Sequence, residues 1–234
     1  MKAILLILIL FLATNSTIIA QQKILLVTGG HDFEEKEFFE MFDSFQGITY
    51  DWVIQPEANA LINSDKIDEY TSIVFYDMYQ DITEAQKNAY LKQLNEGKGM
   101  VFLHHSLVSY QNWSEFQSII GGKYLLEDLN DHPKSTYKHD VDIMVSIVDE
   151  KHQILAGMNG FQLHDEVYGK YIINKGITPL IKTTHPESVD TIGWYHIYKN
   201  SRIVYLQPGH DHHAFESENY RSLVRRAILF VSAN

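Results

Sequence analysis

The segment KILLVTGG, residues 23–30, is an apolar run that ends in two glycines. A run of this kind is typical of a strand that is buried on both faces of a parallel sheet. The residues that follow, 34–45, place four phenylalanines among acidic side chains, at a spacing that puts the rings on one helical face. A buried strand followed directly by an amphipathic helix predicts an α/β fold.

Strand and helix patterns alternate through the first half of the chain. Three further apolar runs predict strands, at residues 50–54, 72–76 and 100–103. Between the last two runs, Thr83 and Gln86 have the spacing of a capping box, which predicts the start of a helix that ends near Asn95. This order predicts a mostly parallel sheet covered by helices, a three-layer sandwich of the flavodoxin-like type.

The second half of the chain has patterns of antiparallel structure. Residues 135–148 alternate between apolar and polar side chains, which favours an edge or antiparallel strand. Residues 192–198 and 202–206 predict a hairpin, because Asn200 between them tolerates the left-handed backbone of a tight turn. We therefore expect a mixed sheet with some antiparallel edge strands, in a single α/β domain over residues 23–232.

The first twenty residues have the pattern of a secretory signal peptide. Lys2 precedes an apolar run from Ala3 to Ala13 that is shorter than the ~20 residues needed to span a bilayer. Cleavage after Ala20 is predicted, but Ile18, three positions before the cut, leaves an uncleaved N-terminal anchor as the alternative. We expect residues 1–20 to be a signal peptide and the protein to be exported, periplasmic or extracellular, without stable membrane insertion.

The composition excludes several classes of function. The chain has no cysteine, which rules out disulfides, zinc thiolates and cysteine nucleophiles. Its 30 acidic and 19 basic residues give a formal net charge of −11, which repels nucleic acid and anionic lipid. No nucleotide is expected, because Gly29-Gly30 is part of neither a G-x-G-x-x-G pattern nor a Walker motif. A neutral or cationic small molecule is the expected partner.

Histidines follow three of the predicted strands. His31 comes after the first strand, His104-His105 after the strand at 100–103, and His210 after the last strand. A lone histidine after a strand is more often structural, but ligands collect at the carboxyl ends of parallel strands, and three such ends favour a functional rim. Adjacent strand residues point to opposite faces, so His104 and His105 share a pocket only if the chain turns between them.

Other side chains are candidates for the same rim. Glu166, in the segment LHDEVY, can be a metal ligand, a general base or the partner that orients a histidine. Aromatic rings can stack on sugars or belong to the core. The substrate-binding candidates are one carboxylate and three aromatic residues, Asp32, Tyr110, Trp113 and Trp194.

Several segments carry a family resemblance when they are taken in order. They are LVTGGHDF (26–33), LHHS (103–106), SYQNW (109–113), IIGGKY (119–124), DEVY (165–168), GWYH (193–196) and YLQPGHD (205–211). Together they resemble the ThuA-like, or trehalose-utilisation, family of the class I glutamine-amidotransferase-like superfamily. The resemblance implies a role in carbohydrate use, with trehalose, a related disaccharide or a 3-keto-glycoside as substrate. Where amidotransferases of this superfamily carry a nucleophilic cysteine, this chain has His104-His105-Ser106, so thiolate chemistry is excluded.

Two functions from different classes follow from these residues. The first is a hydrolase or lyase that acts on a modified glycoside, with Glu166 as proton carrier, His104 orienting the substrate and Asp211 as a second acid–base candidate. In this scheme histidines bind a divalent metal, zinc, manganese or nickel, or polarise a carbonyl. The metal-ligand candidates are His31, His105 and His210, with His132 as a further candidate. The second function is a non-catalytic sugar-binding protein of the same fold.

Overall fold

A computed structural model gives the structure of residues 21–233, and the signal peptide predicted over residues 1–20 lies outside these described residues. The strands of the main sheet are β1 (Gln22–Gly29), β2 (Ile48–Ile54), β3 (Ser72–Asp77), β4 (Gly99–Leu103), β6 (Thr136–Ile147), β7 (Phe161–Gly169), β9 (Thr178–Lys182), β10 (Thr191–Tyr198) and β11 (Ser201–Leu206). A separate short pair joins β5 (Gly122–Lys123) to β8 (Ile172–Ile173).

Helices connect and cover these strands. The α-helices are α1 (Glu35–Asp43), α2 (Glu57–Ile62), α3 (Glu84–Asn95), α4 (Phe116–Ile120), α5 (His212–Glu216) and α6 (Glu218–Ser232). Two 3-10 helices cover Asp65–Glu69 and His104–Val108. Within residues 21–233, no helix has the length and apolar character required to cross a bilayer.

The main sheet has a parallel half and an antiparallel half. Its strand order is β2-β1-β3-β4-β11-β10-β9-β6-β7. The first five strands run parallel to one another, and the last four continue the sheet through antiparallel pairs. The predicted α/β class with a mixed sheet is confirmed, and its antiparallel part comprises the four strands from β10 to β7.

Strand β1 is buried on both faces, as its apolar run predicts. Ile24 and Leu26 belong to the core on the side of α1 and α6. Leu25 and Val27 belong to the core on the side of α2 and α3. Because side chains alternate along a strand, one continuous apolar run supplies both layers of packing, and each fully buried aliphatic side chain stabilises the fold by about 1.5–3 kcal/mol.

Two local predictions are confirmed, with one residue corrected. Thr83 caps α3, and its hydroxyl accepts from the Gln86 N–H while the Gln86 side chain accepts from the Thr83 N–H, so the capping box is confirmed. The hairpin between β10 and β11 is confirmed too, but its left-handed residue is Lys199, with φ 52°, and not Asn200. Asn200 instead donates from its side-chain amide to the carbonyl of Asn95 at the end of α3.

Candidate functional site

A pocket of about 540 Å³ opens at the carboxyl ends of the central strands. Histidines after β1, β4 and β11 reach it, as the sequence predicts, and β6 and β7 close its other side. Four imidazoles, one carboxylate and four tyrosines form much of its wall. They are His31, His105, His139, His210, Glu166, Tyr79, Tyr124, Tyr137 and Tyr168.

Backbone bends bring the histidines into this pocket. Gly30 has φ 80°, and a Cβ at this position would lie 1.8 Å from the carbonyl oxygen of Met78. Only glycine fits there, and the bend directs the next residue, His31, to the pocket. His104 has φ 48° and begins the 3-10 helix, so the chain turns between His104 and His105. The condition for both rings to share the site is met, and their centroids lie 5.1 Å apart.

Glu166 is the point at which three imidazoles meet. Its Oε2 lies 3.0 Å from Nε2 of His104 and 3.4 Å from Nδ1 of His210. Its Oε1 lies 3.4 Å from Nδ1 of His139. The Nε2 of His104 and the Nδ1 of His210 are themselves 3.2 Å apart. One ligand atom each from His104, Glu166 and His210 therefore lies close enough to the other two to hold a metal ion.

His104 and Glu166 form a buried charged pair. Burial alone disfavours the charged form of each, but the hydrogen bond and the opposite charge outweigh it. The pKa of His104 is raised, and the pKa of Glu166 is lowered, with His210 and His139 adding to the shift of Glu166. The Nδ1 of His104 donates to the carbonyl of Gln207 at 2.7 Å, which fixes the ring and directs Nε2 at Glu166.

His105 and His31 have ring nitrogens without partners. The Nδ1 of His105 donates to the carbonyl of Asp77 at 3.2 Å. The Nε2 of His105 and the Nδ1 of His31 are buried and have no hydrogen-bond partner among the described residues. The two rings are neighbours, with centroids 4.5 Å apart. Burial, and the neighbouring His104, lower the pKa of both, so both are neutral near pH 7 and able to accept a proton or bind a ligand.

Asp165 holds the turn that carries His210. Its Oδ2 accepts from the Gly209 N–H at 2.8 Å, and its Oδ1 accepts from the His210 N–H at 3.0 Å and the Glu166 N–H at 2.8 Å. The carboxyl is fully buried, and burial raises its pKa to about 6. Asp165 therefore joins the end of β11 to strand β7 and sets the distance between Glu166 and His210.

His139 is a site residue that the sequence analysis missed. Its ring centroid lies 4.7 Å from that of His210. It sits in β6 where the pairing with β7 shifts register between Lys138 and Val141, next to Asp140 with φ 54°. Such a bulge re-aims a side chain, so simple alternation does not give its face. The available signal was an aspartate, which tolerates left-handed backbone, directly after a histidine within an alternating strand.

Comparison with known families identifies the chain. The ThuA family model, described as trehalose utilisation, matches residues 23–231. The chain belongs to the ThuA family. This confirms the resemblance given by the sequence segments and relates the protein to carbohydrate utilisation. No curated protein sequence matches the chain.

Solved structures share the fold of this ThuA-family protein. A ThuA-like protein from Parabacteroides merdae superimposes with a TM-score of 0.78 at 16% identity, covering 91% of this chain and 90% of that one. A ThuA-like protein from Bacteroides uniformis has a TM-score of 0.71 at 20% identity, covering 94% of each chain. A beta-galactosidase from Bacillus circulans has a TM-score of 0.58 at 9% identity, and the match covers 90% of this chain but 31% of the beta-galactosidase. At these identities the likeness is one of fold alone.

Three aromatic residues predicted to bind substrate lie in the core of this ThuA-family protein. Tyr110 is buried, and its hydroxyl is hydrogen-bonded to Asn59 at 2.8 Å. Trp113 packs among core aromatic rings. Trp194 is fully buried, and its Nε1 donates to the carbonyl of Ile120 at 2.8 Å. The prediction is corrected for all three, because none of these rings lines the pocket.

Other aromatic rings take their place at the mouth of the pocket. Tyr79 and Tyr137 line it and are 56% and 62% exposed, so their ring faces are open to a ligand. Tyr79 follows β3 with φ 52°, and Tyr137 lies in β6 just before His139. Sequence periodicity alone does not separate these exposed rings from the buried ones.

Three polar candidates also lie outside the pocket wall. Asp32 is exposed beside His31 and does not line the pocket. His132 is exposed in a turn, where its backbone pairs with Leu129, and it belongs to neither group of potential metal ligands found within residues 21–233. Asp211 caps α5, where its carboxylate accepts from the His213 N–H at 2.9 Å. Its carboxylate therefore binds the start of the helix, and the acid–base role of Asp211 stays a prediction.

Proposed function

We propose that this ThuA-family protein is a metal-assisted hydrolase or lyase that acts on a 3-keto-glycoside or a related disaccharide. The observation that carries the proposal is the contact of one buried carboxylate, Glu166, with three imidazoles in a pocket of about 540 Å³. Pockets for small ligands have about this volume, roughly 300–1,000 Å³, and combine apolar walls with a few convergent polar groups. The family relation to trehalose utilisation supports a sugar as the ligand.

The ligand set that fits a divalent metal best is His104, Glu166 and His210. Their ligand atoms are separated by 3.0, 3.2 and 3.4 Å. A tetrahedral zinc with bonds of about 2.1 Å separates its ligands by roughly 3.4 Å, and two histidines with one glutamate form a known catalytic ligand set. His104 also donates its other ring nitrogen to a backbone carbonyl, as metal-binding histidines do.

This assignment exchanges two roles that the sequence suggested. His104 and Glu166 become ligands together with His210, and His31 and His105 become free for proton transfer. Zinc, manganese and nickel are all compatible with imidazole and carboxylate ligands. When bound, such an ion would polarise an oxygen of the substrate and so favour loss of a proton from a neighbouring group.

The proton acceptor in this scheme is His105. His105 lines the pocket, and its Nδ1–H is held by the carbonyl of Asp77, which leaves the buried lone pair of Nε2 without a partner among residues 21–233. Burial lowers its pKa, so the ring is unprotonated at neutral pH and can accept a proton from water or from a carbon next to a carbonyl. His31, whose ring lies beside it, can receive that proton or donate it to a leaving group.

The mouth of the pocket would hold the sugar. Tyr79 and Tyr137 offer exposed ring faces, and Lys134 and Ser135 add polar groups to the same wall. A neutral disaccharide suits this surface, because the chain as a whole carries a strong negative charge. The signal-peptide pattern of residues 1–20 supports an exported protein, which would meet such a sugar outside the cytoplasm.

Turnover of 3-keto-trehalose by the full-length protein tests this proposal. Loss of substrate is followed by NMR with zinc, manganese or nickel, for the wild type and for the His105→Gln and Glu166→Gln variants. We expect His105→Gln to lose about two to four orders of magnitude in turnover, as removal of a general base does. Glu166→Gln removes a ligand of the metal and should lower turnover as well. Glu127→Gln makes the same change at an exposed carboxylate next to the pocket residue Leu126 and should keep the wild-type rate.

The alternative function gives a different result in the same experiment. A non-catalytic sugar-binding protein would bind the keto-glycoside with micromolar affinity and give no product after long incubation. Equal turnover by wild type and by folded His105→Gln and Glu166→Gln proteins would contradict the assigned roles. Neither binding nor turnover of keto-glycosides with any of the three metals would contradict the proposed substrate class.

A further inference from the structure

A second group of histidines lies on the surface, outside the pocket. Each of three imidazoles in this group has a carboxylate partner at its Nδ1. The pairs are His212 with Glu34 at 2.9 Å, His213 with Asp211 at 3.2 Å and His164 with Asp142 at 2.9 Å. The six members of these pairs come from the loop before α1, from β6, from β7 and from the start of α5, so distant parts of the chain build the group.

The three rings are neighbours in space. The centroids of His212 and His213 are 3.9 Å apart, and those of His213 and His164 are 4.8 Å apart. One ligand atom each from Asp211, His212 and His213 lies within 4.8 Å of the other two. The spacing of Asp211, His212 and His213 is that of side chains able to share one ion, and the ring of His164 lies beside them.

The carboxylate partners prepare these histidines for a metal. A carboxylate that accepts from one ring nitrogen fixes the tautomer and leaves the other nitrogen with its lone pair free, as in the carboxylate–histidine–zinc arrangement. We propose that His212, His213 and His164, with Asp211, form a second transition-metal site on the surface of the protein. Imidazole nitrogen with carboxylate oxygen is a ligand set that zinc, copper and nickel accept.

The stability that surface ion pairs provide does not account for this group of side chains. Each of the three rings is held at its Nδ1 by a carboxylate, which leaves its Nε2 for a further ligand. An exposed pair of this kind contributes little to stability, so three of them side by side have no evident stabilising role.

The site would act on the pocket through α5. This helix begins directly after His210 and Asp211, so an ion held by His212, His213 and His164 ties the turn that carries His210 to strand β7. The proposal does not depend on the metal assigned to the pocket, because the two ligand sets share no residue.

Zinc binding by isothermal titration calorimetry, with the bound zinc counted by elemental mass spectrometry, tests this site. The full-length wild type is compared with a His212→Ala/His213→Ala variant near pH 7.5. We expect the variant to bind one zinc equivalent fewer than the wild type, whatever number the pocket binds. A Glu166→Gln/His210→Ala variant should keep the surface equivalent, which separates the two sites.

Two matched variants keep the result specific. His132→Ala/His185→Ala removes the same number of imidazoles from other positions outside the group and should leave the zinc count unchanged. Glu34→Gln keeps all three imidazoles but removes one carboxylate partner, and we expect zinc affinity at this site to fall about tenfold to a hundredfold. The proposal would be overturned if the His212→Ala/His213→Ala protein bound as many zinc ions as the wild type and with the same affinity. Zinc binding at this surface only at millimolar concentration would overturn it too.

Discussion

His210 and His212 are two residues apart, yet their environments are opposite. His210 is half-buried, and burial together with the neighbouring His104 lowers its pKa to about 4. The His212 side chain is more open to solvent, 39% exposed against 23% for His210, and its hydrogen bond to Glu34 raises its pKa. The comparison shows that position along the chain does not set the charge of a histidine. Burial favours the neutral form of an imidazole, and a hydrogen bond to a carboxylate favours the charged form.

The two groups also differ in how carboxylates are distributed. In the pocket, Glu166 alone contacts three imidazoles, and one negative charge can balance one positive ring. The pKa directions agree, because that of His104 is raised and that of His210 is lowered. On the surface each of the three imidazoles has its own carboxylate. The pocket therefore has rings of lowered pKa, His31, His105 and His210, around one charged pair, whereas the surface carboxylates raise the pKa of His212 and His164.

The largest difference between the two groups should appear when a carboxylate is removed. Glu166→Gln leaves His104 buried without its counter-charge, and we expect the free energy of unfolding to fall by about 3 kcal/mol in metal-free protein. Glu34→Gln makes the same change on the surface and should have little effect, because water solvates His212 there. Urea unfolding of both variants and the wild type measures the two values.

The pH dependence of that loss follows from the directions of the two pKa shifts. The pKa of Glu166 is lowered, so its contribution is present above the unfolded value of 4.5 and is lost as pH falls through the folded value. The pKa of His104 is raised, so its contribution is complete below 6.5 and is lost as pH rises through the folded value. The difference between wild type and Glu166→Gln should thus be greatest between 4.5 and 6.5. A constant difference from pH 4 to pH 9 would contradict the charged pair.

A smaller difference is expected between two aspartates that both bind backbone N–H groups. Asp165→Asn turns an acceptor into a donor opposite the N–H groups of Gly209 and His210, and we expect a loss of about 1–3 kcal/mol in unfolding free energy. Asp211→Asn should change stability little, because asparagine caps a helix as well as aspartate does. Thermal unfolding of the two variants at pH 7 measures the contrast. Equal losses would show that Asp165 is not the anchor of this turn.

The smallest expected effect concerns the titration of single histidines. In metal-free protein, NMR titration should give His210 a pKa of about 4, and His212 and His164 values above 6.5. Glu34→Gln removes the largest cause of the raised value of His212 and should return it toward 6.5, while His164 keeps its own partner, Asp142. A pKa of His212 that does not respond to Glu34→Gln would contradict the pairing seen in the structure.

The parallel part of the fold and its histidines were predictable from the sequence. Buried parallel strands are short apolar runs, and the residue after each run lies at one edge of the sheet. Three histidines line the pocket for this reason, His31, His105 and His210, and His104 lies beside them. The chain turns at His104, and the rings of His104 and His105 therefore both belong to the site. Glu166 was singled out as a carboxylate in the segment LHDEVY, and the sequence left its role open between metal ligand, general base and partner of a histidine.

The antiparallel part was predictable only in outline. Alternation in residues 135–148 indicates a strand, but the bulge before Val141 that brings His139 into contact with Glu166 depends on pairing with β7. The aromatic residues were assigned by type, and type does not distinguish Trp194 in the core from Tyr137 at the pocket mouth. Burial of an aromatic ring is set by register and by contacts far away in sequence.

The metal content of the protein tests the central claim of this account most directly. Full-length protein is purified without an affinity tag or chelator, and its bound metal is counted by elemental mass spectrometry for wild type and a folded Glu166→Gln/His210→Ala variant. We predict that the variant holds about one equivalent less zinc, manganese or nickel per chain than the wild type, because two of the three pocket ligands are changed. Equal metal content in the two proteins, or no metal in either after incubation with all three ions, would contradict a metal site at His104, Glu166 and His210.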